Sequence, residues 1–256
     1  MTLLAVSGLT KSFGAARAVN GVDFTLISGE MTALIGPNGA GKSTCFNLIG
    51  GQLTPDSGSI RLDGHELVGT PPHRLFRMGL GRTFQIAATF GSMTVLENVQ
   101  MSILSAGYRL FAPFPSVKRE HVLDAMVILE ELGIAALADR VCGELAYGDV
   151  KRVELAVAIA DRPRLLLMDE PTAGMTPDDR DALMALVRQL ARSQGMGVLF
   201  TEHDMDVVFA HADHVMAMDN GQIIAQGPPL KVRQDPAVIA SYLGDKKAVP
   251  PARRPL

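Results

Sequence analysis

The run Gly36-Pro37-Asn38-Gly39-Ala40-Gly41-Lys42-Ser43 has the residue types and spacing of a loop that holds a phosphate. Its glycines let the backbone bend so that several N–H groups converge, and a helix starting where the loop ends adds the positive end of its dipole. Lys42 can then reach β- and γ-phosphate oxygens. Ser43 can ligate Mg²⁺, a hard cation that prefers oxygen, with Thr44 behind it in the same helical turn. A glycine turn that bound nothing would leave Lys42 at a helix start among bare N–H groups, where a cation is electrostatically misplaced.

Two carboxylates bear on the same phosphate. Asp169 and Glu170 end the apolar run Leu165-Leu166-Leu167-Met168, which reads as a fully buried parallel strand. They therefore fall at its C-terminal edge, where open α/β sheets bind ligands. Asp169 can hold Mg²⁺ directly or through water. Glu170 can orient and polarise an attacking water, which favours hydrolysis over transfer of phosphate to a second substrate. Gln85, in Gly81-Arg82-Thr83-Phe84-Gln85, can bring an amide oxygen to Mg²⁺ and the γ-phosphate. His203, in Phe200-Thr201-Glu202-His203-Asp204, follows the apolar run Val198–Thr201 and reaches the same edge as Glu170, within range of the γ-phosphate.

The elements that must position these residues are legible around them. Leu3–Val6, Val22–Leu26, Met31–Ile35 and Ser59–Leu62 read as strands, and Lys42–Ile49 as a helix stopped by Gly50-Gly51. From about Thr94 to Ala160 the pattern turns helical, with Val122, Met126 and Leu129 on one face of a segment that Gly133 ends. Thr176 is an N-cap followed by Pro177, and Leu183, Leu186, Val187 and Leu190 form the stripe of a helix that Gly195 closes. Val198–Thr201, Val215–Met218 and Gln222–Ala225 follow as strands, the last two joined by Asp219-Asn220-Gly221 as a hairpin. Alternating strands and helices predict an α/β core with a mainly parallel sheet.

Composition bounds the partners. With 47% apolar and 20% charged residues, the 256-residue chain can bury a real core. Its 24 basic and 27 acidic residues leave a net charge of -3 and no excess positive field, so nucleic acid is not an expected partner. Cys45 and Cys142 are too few for a disulfide framework and read as packed thiols, which fits a reducing cytoplasm. No run approaches the ~18 consecutive apolar residues of a membrane span, and the start lacks the layout of a signal peptide. Any membrane role is expected through a partner. Residues 246–256 read as a flexible tail.

In this order the residues resemble the ATP-binding cassette ATPases, from Leu3 to Leu243. The resemblance implies a P-loop fold, with a nucleotide-binding core and antiparallel β subdomain over 1–92 and 162–245 and a helical insert over 93–161. It implies ATP and Mg²⁺ as cofactors. Phe13, in Lys11-Ser12-Phe13-Gly14, matches the aromatic that stacks on adenine, a contact worth about 1–3 kcal/mol. Lys42 and Ser43 match the family's phosphate and magnesium ligands, Gln85 its glutamine loop, Asp169 its magnesium ligand, Glu170 its general base and His203 its switch histidine.

The family signature, Leu-Ser-Gly-Gly-Gln, stands here as Leu145-Ala146-Tyr147-Gly148-Asp149, ahead of a helix carrying Val153, Ala156, Val157 and Ala160. In the family this segment clamps the γ-phosphate bound by the partner subunit. Ala146 removes the hydroxyl, a loss of about 1.5–3 kcal/mol or roughly 10–100-fold, whereas backbone donors and helix dipole remain. Turnover is expected to be weakened and not abolished. Asp149 suits the helix dipole but repels phosphate unless it turns away. Thr176 stands where many members have aspartate.

The form Leu-Ala-Tyr-Gly-Asp, with Arg82-Thr83-Phe84-Gln85, Glu170-Pro171-Thr172-Ala173-Gly174 and Ser241-Tyr242-Leu243-Gly244, is similar to the ATPases of bacterial importers for branched-chain amino acids and related amides. That likeness implies head-to-tail pairing with a second ATPase subunit and docking on membrane permease subunits at the cytoplasmic face of the inner membrane. The segment between Gln85 and Leu145 would carry the docking, and a separate solute-binding protein would choose the solute. The aromatic and proline cluster Tyr108–Pro115 lies in that segment, either as an interaction patch or as a cap on the insert. The rival readings are an exporter subunit, a cassette ATPase of DNA repair or translation, and a degenerate cassette that binds ATP without hydrolysing it.

Overall fold

The computed structural model describes residues 1–83, 89–106 and 121–243. Gln85, the 108–115 cluster and the 246–256 tail lie outside the described residues.

The chain opens with β1 (Thr2–Phe13) and β2 (Ala16–Ile27), two twelve-residue antiparallel strands that extend well beyond their apolar centres. Cross-strand pairing carries the ends Thr10–Phe13 and Ala16–Asn20, which have no continuous apolar run to announce them. With β4 (Ser57–Leu62) and β5 (His65–Glu66) they make a four-stranded sheet of order β2-β1-β4-β5.

The second sheet has the order β10-β9-β3-β8-β7-β6. Its strands are β3 (Met31–Ile35), β6 (Leu80–Thr83), β7 (Leu165–Asp169), β8 (Gly197–Thr201), β9 (His214–Asp219) and β10 (Gln222–Gly227). All neighbours pair in parallel except the β9–β10 hairpin. Asn220 and Gly221, at φ 45° and 79°, supply the left-handed turn that this hairpin needs.

The parallel strands are buried on both faces, and alternate side chains sort into two cores. Met31, Ala33 and Ile35, with Leu166 and Met168, join a core shared with the helices, whereas Leu34, Leu165 and Leu167 face the antiparallel sheet and α1 (Lys42–Ile49). Each of the fully buried Leu, Ile and Met side chains contributes about 1.5–3 kcal/mol. The helix side holds α3 (Val95–Ala106), α4 (Val122–Glu131), α5 (Tyr147–Ile159), α6 (Pro177–Gln194) and α7 (Met205–His211); α2 (Pro72–Arg77), α8 (Pro229–Arg233) and α9 (Pro236–Leu243) are short. Thr176 caps α6 by accepting the Asp179 N–H at 3.3 Å, and Gly195 closes it in the left-handed conformation, as the sequence predicts.

Two expectations shift. In α4 the buried face is Ala125, Ile128 and Leu129, while Met126 is only partly buried and Leu123 is 81% exposed, because α4 packs chiefly against α3. The helix expected after the signature segment begins inside it: Ala146 is the N-cap, and Tyr147, Gly148 and Asp149 form the first turn. No described helix is long and apolar enough to cross a membrane.

Candidate nucleotide site

The phosphate loop joins β3 to α1 at the C-terminal edge of the parallel sheet. Two of its glycines are required sterically. A Cβ at Gly36 (φ 155°) would collide with the Met218 carbonyl, and one at Gly41 (φ 107°) with the Ala18 carbonyl. The hairpin tip presses on the loop from outside, where the Gly221 N–H donates to Ala40 O at 2.9 Å. The first intrahelical bond of α1 runs from Cys45 N to Gly41 O at 2.9 Å. Among the described residues no protein acceptor takes the N–H groups of Asn38, Gly39, Gly41, Lys42, Ser43 or Thr44. Together they form an anion nest at a helix start.

Lys42 is buried and donates to the carbonyls of Gly36 at 2.7 Å and Pro37 at 3.0 Å, so it braces its own loop. An ammonium has three donors, and one is left to meet a phosphate oxygen. Burial lowers its pKa, and the opposing charges of Glu170 and Asp169 counter that shift. All three groups therefore share one electrostatic environment.

Asp169 ends β7 directly opposite Thr201 of β8. Thr201 Oγ1 donates to Asp169 Oδ1 at 2.7 Å, while Oδ2 has the Arg82 guanidinium at 3.9 Å. Arg82 is itself held by Asn47 at 2.9 Å and Gln52 at 2.6 Å, behind the last turn of α1. The Ser43 hydroxyl and this carboxylate are hard oxygen donors and suit Mg²⁺. No cluster of three or more His, Cys, Asp and Glu side chains among the described residues could enclose a metal. That donor set fits an ion that keeps water and takes further oxygens from phosphates.

Glu170 has φ +49°, a left-handed conformation that costs a non-glycine residue about 1–3 kcal/mol and so marks a constrained position. Its N–H is shared between Thr201 O at 3.2 Å and Thr201 Oγ1 at 3.1 Å. His203 Nε2 lies 2.8 Å from Glu170 Oε1. The turn after Glu170 is pinned from below, where the Thr172 N–H and hydroxyl both donate to buried Glu202 Oε1, at 3.0 and 2.6 Å.

Phe13 ends β1 and is 51% exposed. Lys11, paired with Asp56 at 3.0 Å, places its ammonium 5.8 Å from that ring. The structure thus gathers Lys42, Asp169, Glu170 and His203 and leaves Phe13 accessible. The signature residues Leu145, Ala146, Tyr147, Gly148 and Asp149 touch this subunit's own turn after Glu170 through Tyr147, which donates to Ala173 O at 3.1 Å. Sequence reasoning missed Thr201, Glu202 and Arg82 as supports. The register of β7 beside β8 was the only signal for Thr201, and it is non-local.

Comparison with known proteins agrees with this geometry. Residues 19–173 match the ABC transporter family, and residues 222–248 match a family described as branched-chain amino acid ATP-binding cassette transporter. The high-affinity branched-chain amino acid transport ATP-binding protein BraF of Pseudomonas aeruginosa is 40% identical over 250 residues, covering 95% of this chain and 98% of BraF. LivG of Escherichia coli K12, of the same description, is 39% identical over 252 residues, with the same coverage. The ADP conformation of MJ1267, an ATP-binding cassette of an ABC transporter, superposes with a TM-score of 0.85 at 35% identity, over 96% of this chain and all of that one. The anion nest, the strand-end carboxylates and the likeness along nearly the whole length lead to one assignment: this chain belongs to the ABC transporter family, as an ATP-binding cassette.

Proposed function

We propose that the chain hydrolyses ATP as the nucleotide-binding subunit of an importer for branched-chain amino acids or related amides. The observation that carries the chemistry is the Glu170–His203 pair at 2.8 Å, at the edge of the sheet that also presents Lys42 and Asp169. ATP would stack its base on Phe13 and lay its phosphates in the nest of Gly36–Thr44. Ser43, Asp169 and Gln85 would hold Mg²⁺, which supplies charge neutralisation across the phosphates. Glu170 would orient water, and His203 would leave the carboxylate to meet the γ-phosphate.

Two such subunits, identical or paired with a sister ATPase, would close head to tail on ATP, each offering Leu145–Asp149 to the other's nucleotide. Closure follows from γ-phosphate contacts that differ between open and closed states. The core over 1–92 and 162–245 and the insert over 93–161 would move relative to each other. Between them runs an apolar cleft lined by Phe76, Phe90, Met101, Ser102 and Val157, which supports docking of a permease segment at the cytoplasmic face of the membrane.

A second reading, a cassette that binds ATP without hydrolysing it, is motivated by Ala146, which gives α5 no side-chain cap, and by Asp149, which puts a negative charge in its first turn. Phosphate release by the purified protein with its permease separates the two, and uptake of labelled leucine by reconstituted vesicles tests the importer. ATP binding without phosphate release would leave the second reading. ATP-driven transport that ignores leucine, isoleucine, valine and simple amides would end the importer assignment.

A further inference from the structure

Tyr147 begins α5, and the expected duty of the signature segment makes no use of its side chain. Its phenol donates to Ala173 O at 3.1 Å. Its ring lies against Gly174, where an added Cβ would stand 3.4 Å from Tyr147 Cε1. The Lys151 ammonium is 5.4 Å from the ring centroid and bonded to buried Glu154 at 3.0 Å. Three independent contacts thus fix the first residue of this helix. A glycine, which the usual signature has at this place, could make none of them.

The chain of bonds continues toward the site. The Ala173 N–H donates to Glu170 O at 3.2 Å, so two hydrogen bonds join the start of α5 to the carboxylate-bearing residue. Glu170 sits in its strained left-handed conformation, which persists only while its surroundings hold it.

We propose that Tyr147 is a positioning residue that ties Glu170 of its own subunit to the nucleotide held by the partner subunit. The proposal rests on the paired-subunit reading above. On that reading the start of α5 meets the partner's phosphates, so any displacement of α5 on their arrival or loss would reach Ala173 through the phenol and Glu170 through the turn. Each site is then set for hydrolysis only when its neighbour is filled.

Tyr147→Phe removes the hydrogen bond and keeps the ring against Gly174 and Lys151, so the fold is preserved. Tyr147→Ala removes all three contacts and should show the larger effect. The measurements are amide exchange over residues 171–175, with and without Mg²⁺ and AMP-PNP, and ATPase rate against ATP concentration. In the unsubstituted protein the analogue should slow that exchange, and in Tyr147→Phe it should not. The maximal rate of Tyr147→Phe should fall about two- to tenfold, the value of one neutral hydrogen bond, and its dependence on ATP should become hyperbolic. Analogue affinity, measured at protein concentrations too low for pairing, should not change.

An exchange response and Hill coefficient matching the unsubstituted protein would overturn the proposal. So would an affinity loss equal to the rate loss, since Tyr147 would then only shape the binding surface. If the unsubstituted chain releases no phosphate, the ATPase reading fails, whereas the exchange response to AMP-PNP still decides the role of Tyr147.

Discussion

His203 Nε2 and Glu170 Oε1 meet at 2.8 Å across the ends of β8 and β7. An ionised carboxylate only accepts, so the imidazole donates and one carboxylate oxygen is occupied. On the proposed reading Glu170 acts on water with its other oxygen, or with both once His203 turns away. Glu170→Gln should keep ATP binding and lower the hydrolysis rate by about 10²–10⁴-fold, the usual worth of a positioned base. His203→Ala should also lower the rate without weakening binding. An unchanged rate in the glutamine variant removes Glu170 from the reaction.

Phe13 is exposed at the end of β1 and supports little of the core, so Phe13→Ala should leave the melting temperature near that of the parent. ATP affinity should fall by about 1–3 kcal/mol, the loss of one stacked base. Titration calorimetry with ATP and with inorganic triphosphate separates the effects, because triphosphate binding should not respond.

Ala146 holds N-cap geometry, φ -64° and ψ 151°, with no side chain to cap the helix. Ala146→Ser supplies the missing acceptor and should stabilise the fold by about 1 kcal/mol. The same hydroxyl should raise the hydrolysis rate, by at most about 10–100-fold if it reaches the partner's phosphate. Urea unfolding and steady-state rates measure the two effects. A more stable variant with an unaltered rate would show that the hydroxyl serves the helix alone.

Alkaline pH should weaken the fold through two buried acids. Burial pushes the Cys45 thiol from 9.0 to about 12. Burial likewise pushes the Tyr242 phenol from 10.0 to about 12, with the Gly36 backbone opposing part of that shift. A pKa raised in the folded state gives stability that is complete below the unfolded value and lost as pH climbs through the folded one. The window therefore opens near pH 9 and closes near pH 12. Between about pH 8 and about pH 10.5 the parent should lose roughly 2 kcal/mol more than Cys45→Ala, as the ionisable thiol requires. Denaturant midpoints at the two pH values provide the check.

Lys151 and Glu154 form a buried pair at 3.0 Å beneath Tyr147, and burial raises the Glu154 pKa against the pull of Lys151. Lys151→Met strands a buried carboxylate and should cost about 3–5 kcal/mol, whereas replacing both with apolar residues should cost less. A double-mutant cycle by chemical denaturation reads the coupling.

The amino-acid sequence by itself determined what short stretches of chain decide. The strands β3 and β7, apolar but for Thr32 and Asp169, the Thr176 cap and the Asn220-Gly221 turn need only their neighbours in sequence, because backbone sterics and local hydrogen bonds act over a few residues. Gly36 and Gly41 of the phosphate loop are demanded besides by the distant Met218 and Ala18 carbonyls. From those, the order of the candidate site residues along one sheet edge could be expected. Tertiary structure alone decided which of them touch. The pairing of β7 with β8 sets Asp169 beside Thr201 and lets His203 reach Glu170. The packing of α5 on the turn after Glu170 gives Tyr147 its acceptor, and the packing of α4 on α3 turns its apolar stripe by a residue. Contacts between distant segments depend on how whole layers interlock, and no window of neighbouring residues contains that information.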